Sequence, residues 1–161
     1  MQPASYPFAR PRRLRRTAAL RALVRETNLT PDHLIAPLFV KEGIESPEPV
    51  TSMPGVAQHT VASLRQEVKE LRSVGVTSFL LFGVPAHKDP MGSEAWNHDG
   101  TLQQALRALR DDHGDGVVLI ADTCLDEYTS HGHCGPLRND GTVDNDAANE
   151  AYGRAAISQA A

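Results

Sequence analysis

The chain has 161 residues, of which 40% are hydrophobic and 22% charged, enough length and apolar content for a domain with a sizeable core and no sign of disorder. A formal net charge of −4 argues against a general affinity for nucleic acid, and no run of eighteen apolar residues is present to span a membrane. The opening Met-Gln-Pro-Ala-Ser-Tyr-Pro lacks the apolar stretch of a secretory signal and only two cysteines occur, so a reducing, cytoplasmic setting is expected.

Residues 1–33 read as an arm. Three prolines precede Arg12, and 10–16 place five arginines in seven positions, a density no core accepts unpaired. Composition alone fits a solvated basic tail or a local nucleic-acid patch. Leu14, Leu20, Leu23 and Val24 lie among these charges, the last three on one face of a short helix, and offer apolar contacts.

Residues 34–40 predict a first strand, short and apolar, in which Pro37 removes one ladder donor. A long proline-bearing connection, 41–59, follows. Lys41 sits just past the strand's carboxyl end, where a lysine can be a nucleophile but is more commonly a solvated loop residue. A helix is predicted over 61–73: Thr60 can cap it, Leu64, Val68 and Leu71 share one face, and charged residues cover the other. Gly75 ends it. Residues 76–84 then form a nearly continuous apolar strand, of the kind buried on both faces. The polar loop 85–100 carries Trp96, which fits either a substrate lid or packing over the sheet edge. Thr101 opens a second helix with Leu102, Ala105, Leu106 and Leu109 on one face, ending near His113-Gly114. Residues 116–121 are the third strand, and after Gly141 either Asp144 or Asn145 caps a last helix running to Ala161.

The third strand delivers the segment richest in chemistry. Residues 122–135 read Asp-Thr-Cys-Leu-Asp-Glu-Tyr-Thr-Ser-His-Gly-His-Cys-Gly and hold both cysteines, two histidines and three carboxylates. Thiolate and imidazole suit Zn²⁺, which takes four ligands and leaves one position open when the site is catalytic. Cys124, Asp126 and Cys134 can meet at one point only if the chain folds back between Asp126 and Cys134, and Gly132 and Gly135 supply backbone for that return. Two cysteines ten positions apart also fit a disulfide or a buried structural thiol. The spacing is not a repeated CxxC and does not choose among these.

The run Tyr128-Thr-Ser-His-Gly-His-Cys-Gly135, preceded by Asp122 and a Cys-x-Asp step, resembles the metal loop of the porphobilinogen synthase family, also called delta-aminolevulinic acid dehydratase. Other pieces resemble that family in the same order: Arg10-Pro-Arg-Arg-Leu-Arg-Arg16, Leu38-Phe-Val40 with Glu42-Gly43, Ser52-Met-Pro-Gly55, Leu81-Phe-Gly83, Lys88-Asp89, Gly92-Ser-Glu-Ala95 and Asp99-Gly100. The resemblance covers essentially the whole chain but only the first half of the family. It implies an α/β fold: a partial (β/α)₈ TIM barrel, about its first three βα units, in 34–161. The extended amino-terminal arm, 1–33, would embrace a neighbouring subunit. Alternating strands and helices fit parallel βα units with right-handed crossovers. Because a closed barrel takes about 250 residues, the third strand should expose an unpaired edge.

The same resemblance implies condensation of two 5-aminolevulinate molecules to porphobilinogen, with loss of two waters, in heme and other tetrapyrrole biosynthesis. It also implies a homo-oligomer, an octamer in the full-length family. The reaction needs Schiff-base lysines. The only lysines are Lys41, Lys69 and Lys88, none in the family's lysine motifs, which are expected beyond Ala161, so the 161-residue chain alone is expected to be inactive. Family members with catalytic zinc carry cysteines at the positions of Cys124, Asp126 and Cys134, whereas zinc-independent members carry alanine and aspartates there. The Cys-Asp-Cys hybrid implies Zn²⁺ with greater tolerance of Mg²⁺. By family position His133 serves an auxiliary metal and Asp122 lines the active site, while His131 is loop structure or a substrate contact. Two readings follow: the first half of a porphobilinogen synthase, or a metal-binding or assembly fragment without turnover.

Overall fold

A computed structural model describes Ala9 and residues 12–161. The chain divides into two compact units, Met1–Thr30 and Pro31–Ala161. Arg10, the first residue of the arginine cluster, lies outside the described residues. In the first unit a 3₁₀ turn, Arg13–Arg15, precedes helix α1, Ala18–Leu23, whose amino end is capped by the Thr17 hydroxyl accepting from the Leu20 N–H at 3.1 Å. Leu20 is half-buried, but Leu23 is 80% exposed and Leu14 and Val24 are also exposed.

The second unit is built on strands β1 (Ile35–Lys41), β2 (Glu48–Pro49), β3 (Ala57–His59), β4 (Ser78–Val84) and β5 (Val118–Ala121), with helices α2 (Val61–Ser73), α3 (Thr101–His113) and α4 (Asn145–Ala160). The sheet order is β2-β3-β1-β4-β5. β1 is parallel to β3 and β4, and β4 is parallel to β5; only β2 and β3 run antiparallel. Pro37 is tolerated because β3 pairs with β1 only at Phe39 and Val40, so beside Pro37 one side of β1 has no ladder to break.

The connection 41–59 is more ordered than its sequence predicts. Val50 donates to Val56 at 2.9 Å and Val56 to Met53 at 3.0 Å, around a turn in which Gly55 takes φ +84°. The flanking strands are too short to leave an alternating pattern. Lys41 is the last residue of β1 rather than a loop residue, and its ammonium meets the Glu48 carboxylate at 2.6 Å.

The register sorts the strand residues into two faces. On one, Leu38, Val40, Phe79 and Leu81 are buried against Leu64 and Val68 of α2 and Leu102, Ala105 and Leu109 of α3, with Val76 and Val117 closing the cluster. The opposite face carries the rows Ile35–Ser78–Val118, Pro37–Leu80–Ile120 and Phe39–Phe82, the last pair stacked with centroids 5.1 Å apart. That face is not fully covered. The expectation that residues 76–84 are buried on both faces is therefore corrected: burial alternates along β4, since α2 and α3 pack on the side of Phe79 and Leu81. β5 ends the sheet on one side, with Val118 55% exposed.

Helix α4 packs by its small residues Ala151 and Ala155 into a second apolar cluster with Ala95, Leu125 and Tyr128, and Trp96 lies against it. This assigns Trp96 to packing, with the Arg154 guanidinium 5.7 Å above its ring. Asp144, rather than Asn145, caps α4, accepting from the N–H groups of Asp146 and Ala147. No helix among the described residues is long and apolar enough to cross a membrane.

Candidate metal centre

At the carboxyl end of β5 the ladder runs one residue further, the Asp122 N–H donating to the Leu81 carbonyl at 3.0 Å. Burial pushes the Asp122 carboxyl above its ordinary range, against the Cys124 N–H, with nearby Asp126 adding to the rise. The chain then coils into one turn. The N–H groups of Tyr128 and Thr129 both donate to the Leu125 carbonyl, at 2.9 and 2.8 Å, and all three side chains are buried.

Contacts from three other segments hold that turn. The Tyr128 side chain crosses Gly83 on β4 so closely that a Cβ there would stand 2.6 Å from the phenol oxygen and 2.8 Å from Leu102 Cβ. The loop after β4 bridges to the turn: Asp89 N–H donates to the Tyr128 carbonyl at 3.3 Å, and Ser130 N–H donates back to the Asp89 carbonyl at 2.9 Å. The Asp89 carboxylate accepts from the N–H of Met91 at 2.7 Å and from the Ser93 hydroxyl. Burial works against that charge, but these hydrogen bonds outweigh it and hold Asp89 below the usual carboxylate range. From α4, Gln159 Nε2 donates to the Asp122 carbonyl at 2.9 Å.

The return passes Gly132 at φ +74°, where a side chain would be strained. Thr129 Oγ1 donates to the His133 carbonyl at 2.7 Å. Gly135 serves by closeness rather than by dihedral, since a Cβ there would stand 2.7 Å from Ala148 Cβ. Tyr152 of α4 donates its hydroxyl to the Cys134 carbonyl at 2.6 Å.

Folded back in this way, the ligand atoms of Cys124, Asp126 and Cys134 all lie within 4.8 Å of one another. No other trio of His, Cys, Asp or Glu among the described residues converges so. Both cysteines are free thiols here, with Cys124 Sγ 3.0 Å from Cys134 Sγ. A tetrahedral Zn²⁺ with bonds of about 2.0–2.3 Å sets its ligand atoms roughly 3.3–3.8 Å apart, a spacing the trio can reach by small side-chain rotations. The donor set, two sulfurs and a carboxylate, suits zinc. Burial, then hydrogen bonds with Cys134 and Asp126, push the Cys124 thiol up to about 12, so it holds its proton until a cation replaces it.

The histidines stay outside this trio. His133 is exposed and its ring leans on that of His131 at 5.4 Å. His131 braces the loop, accepting the His133 N–H at Nδ1 at 3.2 Å, with Nε2 3.1 Å from the Pro90 carbonyl. Tyr152 and Gln159 are supports the sequence reading did not pick out, and Gly83, read there only as part of a family-like motif, is a third. Of the two, Tyr152 left a trace, as the single aromatic in the alanine-rich helix α4. Its phenol is pushed up to about 12, first by burial and then by Cys124, with Cys134 and Asp126 adding.

Residues 8–161 match the family profile described as delta-aminolevulinic acid dehydratase. The chain is 52% identical over 162 residues to the delta-aminolevulinic acid dehydratase of Mycobacterium tuberculosis strain H37Rv, covering 99% of this chain and 49% of that protein. Against the Streptomyces coelicolor enzyme of the same name it is 48% identical over 158 residues, covering 97% and 48%. The chain thus spans about half the length of the curated relatives it matches. A crystal structure of delta-aminolevulinic acid dehydratase (porphobilinogen synthase) from Toxoplasma gondii ME49, in complex with the reaction product porphobilinogen, superposes with a TM-score of 0.89 at 39% identity, covering 94% of this chain and 44% of that one.

Proposed function

The chain belongs to the delta-aminolevulinic acid dehydratase family, with a TIM-barrel-like α/β fold, and on that premise we propose that it is the metal-carrying part of a porphobilinogen synthase. The reaction is the condensation and dehydration of two 5-aminolevulinate molecules to porphobilinogen. The observation that carries this reading is the convergence of Cys124, Asp126 and Cys134 just past the carboxyl end of β5, the end at which barrel enzymes build their sites. On the same reading, 34–161 supplies the first three βα units of the barrel. Residues 1–33 are an arm that contacts a neighbouring subunit of a homo-oligomer.

Cys124, Asp126 and Cys134 would hold one Zn²⁺, and its chemistry there is that of a Lewis acid which polarises a substrate carbonyl and lowers the proton affinity of an amine. Asp122, at the mouth of the strand with its carboxyl raised by burial, lines the space beside the ligands and can exchange a proton with a substrate amine. Its backbone is held by Leu81 and Gln159, so its position follows from the sheet and α4 rather than from the return of the loop. No lysine of this chain is assigned the Schiff base. Lys41 is paired with Glu48, Lys69 rides on α2, and Lys88 faces Glu127. His133, exposed beside the loop, is left as a ligand for an auxiliary metal.

Zinc stoichiometry measured together with free-thiol counting on the reduced protein tests this reading. One Zn²⁺ per chain, with Cys124 and Cys134 shielded from alkylation, is expected. Asp126→Cys should tighten zinc, whereas Cys124→Ala combined with Cys134→Asp should abolish zinc binding. Two reactive thiols with no bound zinc would reject the zinc site and favour a magnesium-type centre. The 161-residue chain alone should form no porphobilinogen, and detectable turnover would overturn the assignment of the amines to residues outside it.

A further inference from the structure

We propose that Tyr152 is a positioning residue of the metal centre: from α4 its hydroxyl grips the Cys134 carbonyl and fixes where the Cys134 thiol stands relative to Cys124 and Asp126. The inference rests on the metal reading above and names a residue outside the loop that sets the geometry of that site.

The two ends of the trio are held very differently. Cys124 and Asp126 sit on the turn buried through Leu125, Tyr128 and Thr129, and that turn is tied to β4 and to Asp89. Cys134 is exposed and lies on the returning segment of the loop, between Gly132 at positive φ and Gly135, two residues with no side chain to lock the backbone. Without an anchor the third ligand would wander, and a tetrahedral site tolerates little wander in a ligand. Three contacts restrain the return: Thr129 Oγ1 on the His133 carbonyl at 2.7 Å, the seat of Gly135 against Ala148, and the Tyr152 hydroxyl on the Cys134 carbonyl at 2.6 Å. Only the last acts on the backbone of the ligand residue itself.

Helix α4 can deliver that hydroxyl because its inner face is small. Ala148, Ala151 and Ala155 are buried and let the helix approach closely, and the lone aromatic side chain reaches across to the loop. At neutral pH a phenol donates, and the carbonyl it meets carries no proton, so the bond has one polarity whatever the state of the thiol. A partner outside the ligand set that orients a ligand in this way is commonly worth 10–100-fold in metal affinity.

Tyr152 also packs beside the second apolar cluster, so its ring has a structural role that the hydroxyl does not share. Tyr152→Phe keeps the ring and removes the donor; Tyr152→Leu removes both. On the reduced 161-residue chain, Co²⁺ is titrated to read its thiolate charge-transfer and d–d bands, and Zn²⁺ affinity is measured by competition with a chromogenic chelator. Circular dichroism melts run in parallel. The expected result is an unchanged melt for Tyr152→Phe, with Zn²⁺ and Co²⁺ bound at least tenfold more weakly and the d–d bands altered, and a similar metal loss for Tyr152→Leu with a lower melt. Unchanged affinity and spectrum for Tyr152→Phe would overturn the proposal and leave the ring's packing as the whole role, and a Phe variant that fails to fold would overturn it by making the hydroxyl a requirement of folding rather than of the metal geometry. A wild-type chain that binds neither ion would instead bring down the metal reading itself, and this inference with it.

Discussion

At the scale of single residues, the loop is placed by one close fit. Tyr128 crosses Gly83 so tightly that a methyl group added there must displace the phenol or Leu102, both in packed surroundings. Gly83→Ala should therefore destabilise the fold by about 1–3 kcal/mol, as overpacking of a filled core does. Tyr128 itself offers a contrasting case. Its hydroxyl is buried and has no hydrogen-bond partner among the described residues, and burial drives its titration upward, with Asp122, Glu127 and Glu94 adding. Removing an unsatisfied hydroxyl while keeping the ring costs no bond, so Tyr128→Phe should be neutral or stabilising by up to about 1 kcal/mol. Urea midpoints at constant slope check both, and a clear loss in Tyr128→Phe would show that the hydroxyl has a partner in the working protein. The sequence displayed the donor types and their order in 122–135. It could not display this fit, because Gly83 lies on β4 and Tyr128 in the turn beyond β5, and nothing in either local pattern refers to the other.

At the scale of elements, legibility followed length and periodicity. The helix expected over 61–73 is α2 to the residue, with the Thr60 hydroxyl accepting from the Ser63 N–H at 3.0 Å, and the helix opening at Thr101 is α3. Both have an apolar stripe long enough to read. β2 and β3, two and three residues long, left no alternation and were hidden inside a proline-bearing connection. The partners of helix ends were equally hidden. His113, which in sequence only marks the end of α3, lies against α2, its Nδ1 2.8 Å from Arg72 Nη1. Arginine can only donate, so Nδ1 accepts and the ring is neutral. Burial first, and then Arg72, lower the His113 pKa below the ordinary value. A histidine depressed in the folded state binds its proton more readily when unfolded. Its contribution to stability is thus intact above the unfolded value of about 6.5 and is lost as pH falls from there through the lower folded value. Thermal melts from pH 7.5 to 5 should show a decline below about pH 6.5 that His113→Gln flattens. An equal decline in the variant would assign the acid sensitivity to other groups.

At the scale of the whole sheet, the two faces differ in what covers them, and this difference has a consequence in solution. α2 and α3 close one face, whereas the rows Ile35–Ser78–Val118, Pro37–Leu80–Ile120 and Phe39–Phe82 lie on the face opposite those two helices. Ile35 and Val118 are each 55% exposed, and β5, the outer strand on that side, presents its unpaired edge beside them. The expectation of an open edge came from counting βα units. The apolar face beside it became visible only with the register, since a one-residue slip would have turned Leu80 and Phe82 toward the helices. An edge and an apolar face side by side are the surface that proteins ordinarily cover or charge, because both add free energy of association when a second chain meets them. The 161-residue chain should therefore self-associate at low micromolar concentration. Val118→Lys places a charge on the edge strand at its most exposed residue, without touching the α2–α3 core, and should shift the distribution toward monomer while leaving the circular dichroism spectrum unchanged. Sedimentation velocity decides it: a single sharp monomer boundary for the wild-type chain would mean that this face is covered by other means, and indifference to Val118→Lys would place the contact elsewhere.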